Sequence, residues 1–477
     1  MNPVLFLAIV FTALTIVLIK SRHERHLKIV FMIRSQAGIK LIDWLAYVKP
    51  GFTQFIADFS VLLSFGSIGG FYLSRKSRRN LDKSMLFLAA TGFLVSLAGG
   101  FPFSKAAVFL AIALAVHALA YRRKSTLAYT AGSFMVVGFP AYVILTPGMA
   151  FLAGFFGVPG LLMYALSSHG IVIARGETNV PGVSPLLPSV DDTGTVGVGF
   201  AGLDLFIPWW HALIALTVTL VAHEGAHGVL SRIAGVRVKS TGLLSIGAMP
   251  VGAFVEPDEK ELMDKPGIDR MRVFTAGSFA NILVTVLALF SLTGLSLAMT
   301  GFMENDGIQI VGFMPELQAK NHLTEGDVIY QLNGVEVEDM GSFRAATEGI
   351  SPSDKVTLNT SSGVRSFEAG GHSSEPGKGF LGVYVTEKTN YSGPLPGLIP
   401  GLIDFIYQSF NWIILFNISI ALVNLLPVLP FDGGRMFKEV VDLFEFRQST
   451  VNKIMYAVIA VTGLVFAVNL SPLVEGL

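Results

Sequence analysis

The chain has 477 residues, of which 52% are hydrophobic and only 14% charged, against about 25% charged in a typical soluble domain. That composition excludes a soluble enzyme, and 34 Lys+Arg balanced by 34 Asp+Glu leave no basic field for nucleic acid. The absence of cysteine removes disulfides, thiolate metal sites and a cysteine nucleophile together. Runs able to cross about 30 Å of hydrocarbon are predicted at 1–19, 56–74, 84–100, 106–121, 127–145, 148–172, 205–231, 273–299, 405–427 and 454–470. The first reads as a retained anchor rather than a removed signal peptide, lacking a charged start and a small-residue cleavage pattern. Residues 20–54 mix Lys20, Arg22, Arg25, Lys28, Arg34 and Lys40 with Leu41, Trp44 and Leu45, the pattern of an interfacial amphipathic segment. Asp58 is out of place in its apolar run, and the sequence offers no partner for it. The runs 84–100 and 106–121 are short enough to close as one hairpin around Gly99, Gly100 and Pro102. Trp209 and Trp210 open the 205–231 run as an interfacial aromatic belt would.

Residues 304–390 break the membrane rhythm. Val328-Ile329-Tyr330, the turn pair Asn333-Gly334 and Val335-Glu336-Val337 read as a β-hairpin, with further strands at 355–358 and 380–385. At about 87 residues this is one small β-rich soluble module. Its Ala319–Ile329 stretch followed by Leu332-Asn333-Gly334 resembles the central part of a PDZ domain. The fold class expected is an α-helical polytopic membrane protein with an inserted PDZ-like β-domain.

The 205–231 run ends in Val221-Ala222-His223-Glu224-Gly225-Ala226-His227-Gly228. Two histidines four apart share one helical face, so both imidazoles can hold one zinc ion, and the glutamate between them can act on a water at that metal. Snorkelling at a span's end would account for one ionisable residue here, not for three at metal spacing. A catalytic zinc needs a third protein ligand. Asp58, Asp404, Asp432, His117 and His211 are the candidates near spans; His117 and His211 lack a metal-spaced partner and read as satisfied or interfacial. Asp432 follows Asn424-Leu425-Leu426-Pro427-Val428-Leu429-Pro430-Phe431, where two prolines must open the helix. Irregular backbone at membrane depth is tolerated where it is buried in protein or lines a cavity, so Asp432 reads as a site residue. Parity agrees: running 205–231 down, 273–299 up and 405–427 down brings Asp432 level with the histidines. Seven Lys/Arg in 232–272 and four in 435–453, against six across 304–390, make that level the cytosolic one. The N-terminal half conflicts, because 20–40, 75–83 and 122–124 are all basic and a single span between the first two cannot put both inside.

His-Glu-Gly-Ala-His in a span, Asn424-x-x-Pro427 leading to Asp432-Gly433, and a PDZ-like insert between them resemble the site-2 protease family of intramembrane zinc metalloproteases. Gly252–Glu259 looks like the segment after the catalytic helix in archaeal members, and Ala276-Gly277-Ser278-x-x-Asn281 is similar to the small-residue motif of the second core helix. Ser278 and Leu429 stand where family members often carry proline, and neither is a proposed ligand. The resemblance implies one Zn2+ held by His223, His227 and Asp432, with Glu224 as general base. It also implies a role for Asn424 at the substrate carbonyl or in steadying the metal-site loop, and a membrane-dipping β-hairpin at 240–254 whose edge could hold an extended substrate. The implied layout is an N-terminal membrane region of about six spans (1–200), a first half-core (201–300), the PDZ-like domain (304–390) and a second half-core (400–477). The expected partners are transmembrane protein substrates and the lipid bilayer. The protein is expected in the cell membrane, its site toward the cytosol and its PDZ-like domain extracytosolic. A non-enzymatic adaptor with a structural zinc is the alternative; a transporter is a third reading, without the internal repeat that would favour it.

Overall fold

The computed structural model describes residues 12, 15–16, 24–26, 30–191, 193–246, 249–314, 318–372 and 375–475, so the predicted 1–19 run lies almost wholly outside the described residues. Among the described residues, nine helices are long and apolar enough to cross a membrane. The chain divides into two compact units, Met1–Leu289 with Gln408–Leu477, and Phe290–Tyr407.

The first unit opens with strands β1 (Glu24–His26) and β2 (Val30–Ser35) and helix α1 (Ala37–Val48), which leaves Leu41, Trp44, Leu45 and Tyr47 exposed. Next comes α2 (Pro50–Lys76), with proline in its first turn, where a missing N–H costs nothing. This helix is not the single span that its apolar run predicts. At Gly66 the backbone takes φ 54 and ψ −129, a region essentially reserved for glycine, and the chain turns back. Ser77 Oγ donates to Asp58 Oδ2 at 2.6 Å, whereas 19 residues of straight helix would hold those positions about 28 Å apart. α2 is therefore a re-entrant hairpin of two half-helices.

Helices α3 (Arg78–Ala98) and α4 (Phe103–Arg123) follow, joined around Gly99–Pro102 as the short runs suggest, and then α5 (Thr126–Ile144), whose N-cap Ser125 accepts from Ala128 N–H. α6 (Pro147–Ala174) breaks in the same way at Gly157, φ 67 and ψ −147. A Cβ on Gly160 would stand 3.1 Å from the Leu152 carbonyl, eight residues back and about 12 Å away in an unbroken helix. The two hairpins meet at their tips. A Cβ on Gly66 would lie 2.7 Å from the carbonyls of Ala153 and Gly154, one on Gly157 would collide with the Ser64 carbonyl, and Ser67 Oγ donates to the Phe155 carbonyl at 3.1 Å. Backbone groups freed at such a break need partners inside the protein, and this close crossing supplies one. Leu62, Tyr72, Leu81, Met85 and Tyr129 are fully buried in the core of this unit.

A small sheet, β3 (Leu186–Val190), β4 (Val196–Phe200) and β5 (Phe206–Pro208), leads into α7 (Trp209–Ile233). Strands β6 (Val238–Ile246) and β7 (Met249–Pro257) then form a hairpin in a sheet of order β1-β2-β6-β7, so residues 30–35 of the expected amphipathic stretch are a strand. After the short α8 (Glu259–Met263) comes α9 (Gly267–Met299). His211 Nδ1 meets Ser409 Oγ at 2.9 Å, and Asn417 Nδ2 donates to Thr219 Oγ1 at 2.8 Å. Both contacts advance by eight residues on each helix, so α7 runs parallel to the helix bearing Ser409 and Asn417.

In the second unit the order β12-β11-β9-β8-β15 joins β8 (Met303–Phe313), β9 (Val328–Leu332), β11 (Lys355–Thr360), β12 (Gly363–Glu368) and β15 (Val383–Tyr391), with β10 (Val335–Glu336) on β9 and a separate β13 (Gly370–His372) and β14 (Glu375–Phe380) pair. Asn333 and Gly334 take φ 51 and φ 83 in the β9–β10 turn, the geometry that an Asn-Gly hairpin demands. Gly382 ends the expected 380–385 strand early, so Phe380 closes β14 and Val383 opens β15. Helix α10 (Met340–Thr347) carries a capping box between Asp339 and Ser342. Ile308, Ile310, Ile329, Leu332, Val356 and Leu358 make the core. The remaining helices are α11 (Ile399–Asn424), which carries Ser409 and Asn417, then α12 (Asp432–Asp442) and α13 (Gln448–Glu475).

Candidate metal centre

One turn of α7 separates His223 from His227, and their rings lie 4.9 Å apart at 76°. Their Nε2 atoms are 3.3 Å apart. Beyond α11 the chain is non-helical through Pro427 and Pro430, and it delivers Asp432 as the first residue of α12. Asp432 Oδ2 stands 3.3 Å from His223 Nε2 and 3.1 Å from His227 Nε2. Three lone-pair donors thus converge in a pocket where His223 is 6% exposed, an arrangement that a shared cation relieves. Four ligands tetrahedrally around zinc at about 2.0–2.1 Å would be separated by about 3.3 Å, and this triangle has that size. His223, His227 and Asp432 are a group able to hold a metal ion.

Helix α9 backs the two imidazoles. The Val273 carbonyl accepts from His227 Nδ1 at 2.7 Å, which leaves Nε2 as the lone-pair nitrogen. The Asn281 amide lies 3.1 Å from His223 Nδ1, and its oxygen has no other buried partner. Turned with that oxygen toward the ring, the amide accepts the Nδ1 proton and frees Nε2 in the same way. Gly277 makes the close approach possible: a Cβ there would stand 2.6 Å from His223 Nε2 and collide with His227 Nε2. Arg270 grips Glu439 of α12 through Nε–Oε1 at 2.6 Å and Nη2–Oε2 at 2.9 Å. One helix end therefore touches the holders of all three donors.

Glu224 is half-buried, and its Oε2 accepts the Val255 N–H at 3.2 Å. It borders an apolar cavity of about 660 Å³ walled by α1, the first arm of α2, α7, β7 and α9, with Ala57, Ala222, Ala253, Phe254 and Leu41 among its lining. β7 is the outer strand of its sheet.

Asn424 ends α11, half-buried, and among the described residues no hydrogen bond joins it to the three donors. His211 is taken up by Ser409. His117 stands 4.0 Å from Asp82 in the N-terminal helices, Asp404 belongs to the β-rich unit, and Asp58 pairs with Arg272. Val273, Gly277, Asn281 and the Arg270–Glu439 pair carry no metal signal of their own in the sequence. The Ala-Gly-Ser-x-x-Asn spacing marked the right turn of α9, but a backbone carbonyl and a missing Cβ become ligand supports only in three dimensions.

The site is that of a polytopic membrane protein with a His-His-Asp donor set and an adjoining carboxylate buried among its helices. Residues 211–468 match peptidase family M50, and the chain belongs to that family, the site-2 protease family. It is 30% identical over 244 residues to an uncharacterized protein of Methanocaldococcus jannaschii, across 51% of this chain and 60% of that relative. A probable chloroplastic membrane metalloprotease of Arabidopsis thaliana is 22% identical over 310 residues, 47% of this chain and 69% of its own length. A homologue of the membrane-bound transcription factor site-2 protease, also from Arabidopsis thaliana, is 23% identical over 186 residues, 39% and 35% of the two chains.

Proposed function

We propose that the protein is an intramembrane zinc endopeptidase that cuts transmembrane segments of other membrane proteins. The observation that carries this reading is the donor triangle of His223, His227 and Asp432 with edges of 3.1–3.3 Å, beside Glu224 on an apolar cavity. His223, His227 and Asp432 would hold one zinc ion, which would supply Lewis-acid polarisation of a carbonyl and lower the pKa of a water toward about 7. Glu224 takes the proton of the attacking water and passes it to the departing amine. A substrate helix hides its carbonyls in its own hydrogen bonds, so it must unwind before attack, and β7, the outer strand of its sheet, offers an extended segment new backbone partners. Asn424 is assigned to the substrate carbonyl or to the loop that carries Asp432.

In this reading 201–300 and 400–477 are the two halves of the core and 1–200 is a further membrane region. The module at 304–390 is a PDZ-like domain that reads a substrate tail: β15 is an edge strand, and a groove of about 490 Å³ lies between Phe343, Arg344 and Val383. We place the metal centre toward the cytosol, because the basic runs at 75–83 and 122–124 share its face, and the β-rich module extracytosolic by span parity. A structural zinc in an adaptor would normally take four protein ligands, and three converge here among the described residues. Glu224→Gln tests the assignment: cleavage of a reporter transmembrane peptide in proteoliposomes should be lost with zinc retained, and undiminished cleavage rules out the assigned base.

A further inference from the structure

Asp58 has no part in the chemistry above, yet few carboxylates in the chain are better held. It is fully buried. Arg272 reaches it twice, Nε to Oδ1 and Nη2 to Oδ2, both at 2.8 Å, and Ser77 Oγ and Asn80 Nδ2 each donate to Oδ2 at 2.6 Å. Stability alone is a weak reason to keep such a pair, since desolvation offsets most of the attraction and an apolar replacement is often as good.

Its position gives a better reason. Arg272 immediately precedes Val273, whose carbonyl holds the His227 Nδ1 proton at 2.7 Å. Two residues beyond Asp58, on the same arm of the re-entrant hairpin, Ser60 Oγ meets Thr275 Oγ1 at 2.8 Å in a buried contact. The arm thus pins α9 at 272 and at 275, on either side of Val273. Both contacts hold against the arm the segment of α9 that presents this carbonyl to the imidazole. The ring partner of a metal-ligating histidine sets its orientation and basicity.

We propose that Asp58 is a positioning residue of the metal centre, acting on His227 through Arg272 and the Val273 carbonyl. It comes from a hairpin outside residues 211–468, the part that matches the family. The inference rests on the metal-centre reading, and the experiment separates the two.

Full-length protein in detergent is loaded with Co(II) for its visible spectrum and titrated with zinc against a chelator. Asp58→Asn should weaken zinc about 10–100-fold, the usual range for such supporting partners, shift the Co(II) bands, and lower reporter kcat with KM little changed. Because that substitution leaves a buried guanidinium short of its counter-charge, the pair Asp58→Leu with Arg272→Met is made as well. A merely structural ion pair predicts wild-type Co(II) bands from that folded double variant, whereas positioning predicts shifted ones. Should neither fold, Ser60→Ala with Thr275→Val removes the second pin without burying a charge, and the same shift is expected. Bands and zinc affinity within twofold of wild type in the folded variants overturn the proposal. If His223→Ala and Asp432→Ala both keep wild-type Co(II) affinity, the metal-centre reading itself falls, and this inference with it.

Discussion

A methyl group at position 277 has nowhere to go. It would stand 2.6 Å from His223 Nε2 and run into His227 Nε2, so Gly277→Ala must push the imidazoles or α9 aside. Helix propensity runs the other way, since alanine is favoured over glycine in a helix by about 1 kcal/mol. The variant should therefore be folded and helical yet lose at least about tenfold in zinc affinity, measured by chelator competition; a helix gain with unchanged zinc binding would show the cradle to be loose. Residues of this kind mark the limit of reading a site from sequence. His223, Glu224 and His227 are legible because four-residue spacing on a helix is a local fact. Asp432 is legible because Pro427 and Pro430 announce broken backbone. Val273 offers only a carbonyl, and every residue has one.

Elements follow the same rule, and α2 is the instructive failure. A re-entrant hairpin and a spanning helix bury the same kind of side chains, so hydropathy cannot separate them; the difference lies in one dihedral pair at Gly66. Gly66→Ala would meet the Ala153 and Gly154 carbonyls at 2.7 Å in addition to its own backbone strain. Gly176, at φ 70 with nothing within 4 Å, isolates the strain, which costs about 1–3 kcal/mol. Gly66→Ala should lower the thermal midpoint in detergent clearly more than Gly176→Ala, and equal losses would mean the hairpin tips do not touch. A second element carries a pH signature. Asp258 caps α8 by accepting from the Lys260 and Glu261 N–H groups at 3.1 and 3.2 Å, and the Glu261 bond, with Lys239 at 3.0 Å, holds its carboxyl down at about 2. A depressed pKa adds stability above the ordinary carboxylate value, about 3.9, and that stability is lost as the pH falls through the folded value. The advantage of wild type over Asp258→Asn in thermal unfolding should thus be flat above about pH 4 and fade toward pH 2; an advantage persisting undiminished at pH 2 contradicts the cap.

For the molecule as a whole, the two hairpins bear on a conflict that hydropathy leaves open. The basic stretches at 20–40, 75–83 and 122–124 cannot all face the cytosol if Pro50–Lys76 crosses the bilayer, and positive charge is strongly biased to that face. With α2 turning back at Gly66 they do share one face. Independent contacts put the metal centre's end there too, because Arg232 at the close of α7 pairs with Asp43 of α1 and Arg272 near the start of α9 pairs with Asp58. From that face α3 leads away, α4 returns and α5 leads away again. α6, folded at Gly157, must come back to the face it left, which is where α7 has to begin if it is to carry the histidines down to Arg232. Had α6 crossed, the parity of every later helix in this unit would reverse. The chain has no cysteine, so single cysteines placed at Lys49, Arg79, Lys124 and Arg237 report this directly in sealed vesicles. All four should react with an impermeant maleimide from one side, and cysteines at Gly100, Gly148 and Gly176 only from the other. Opposite accessibility of positions 49 and 79 would make α2 a crossing helix; it would also part Asp58 from Ser77, and with them the brace that the hairpin lends to α9.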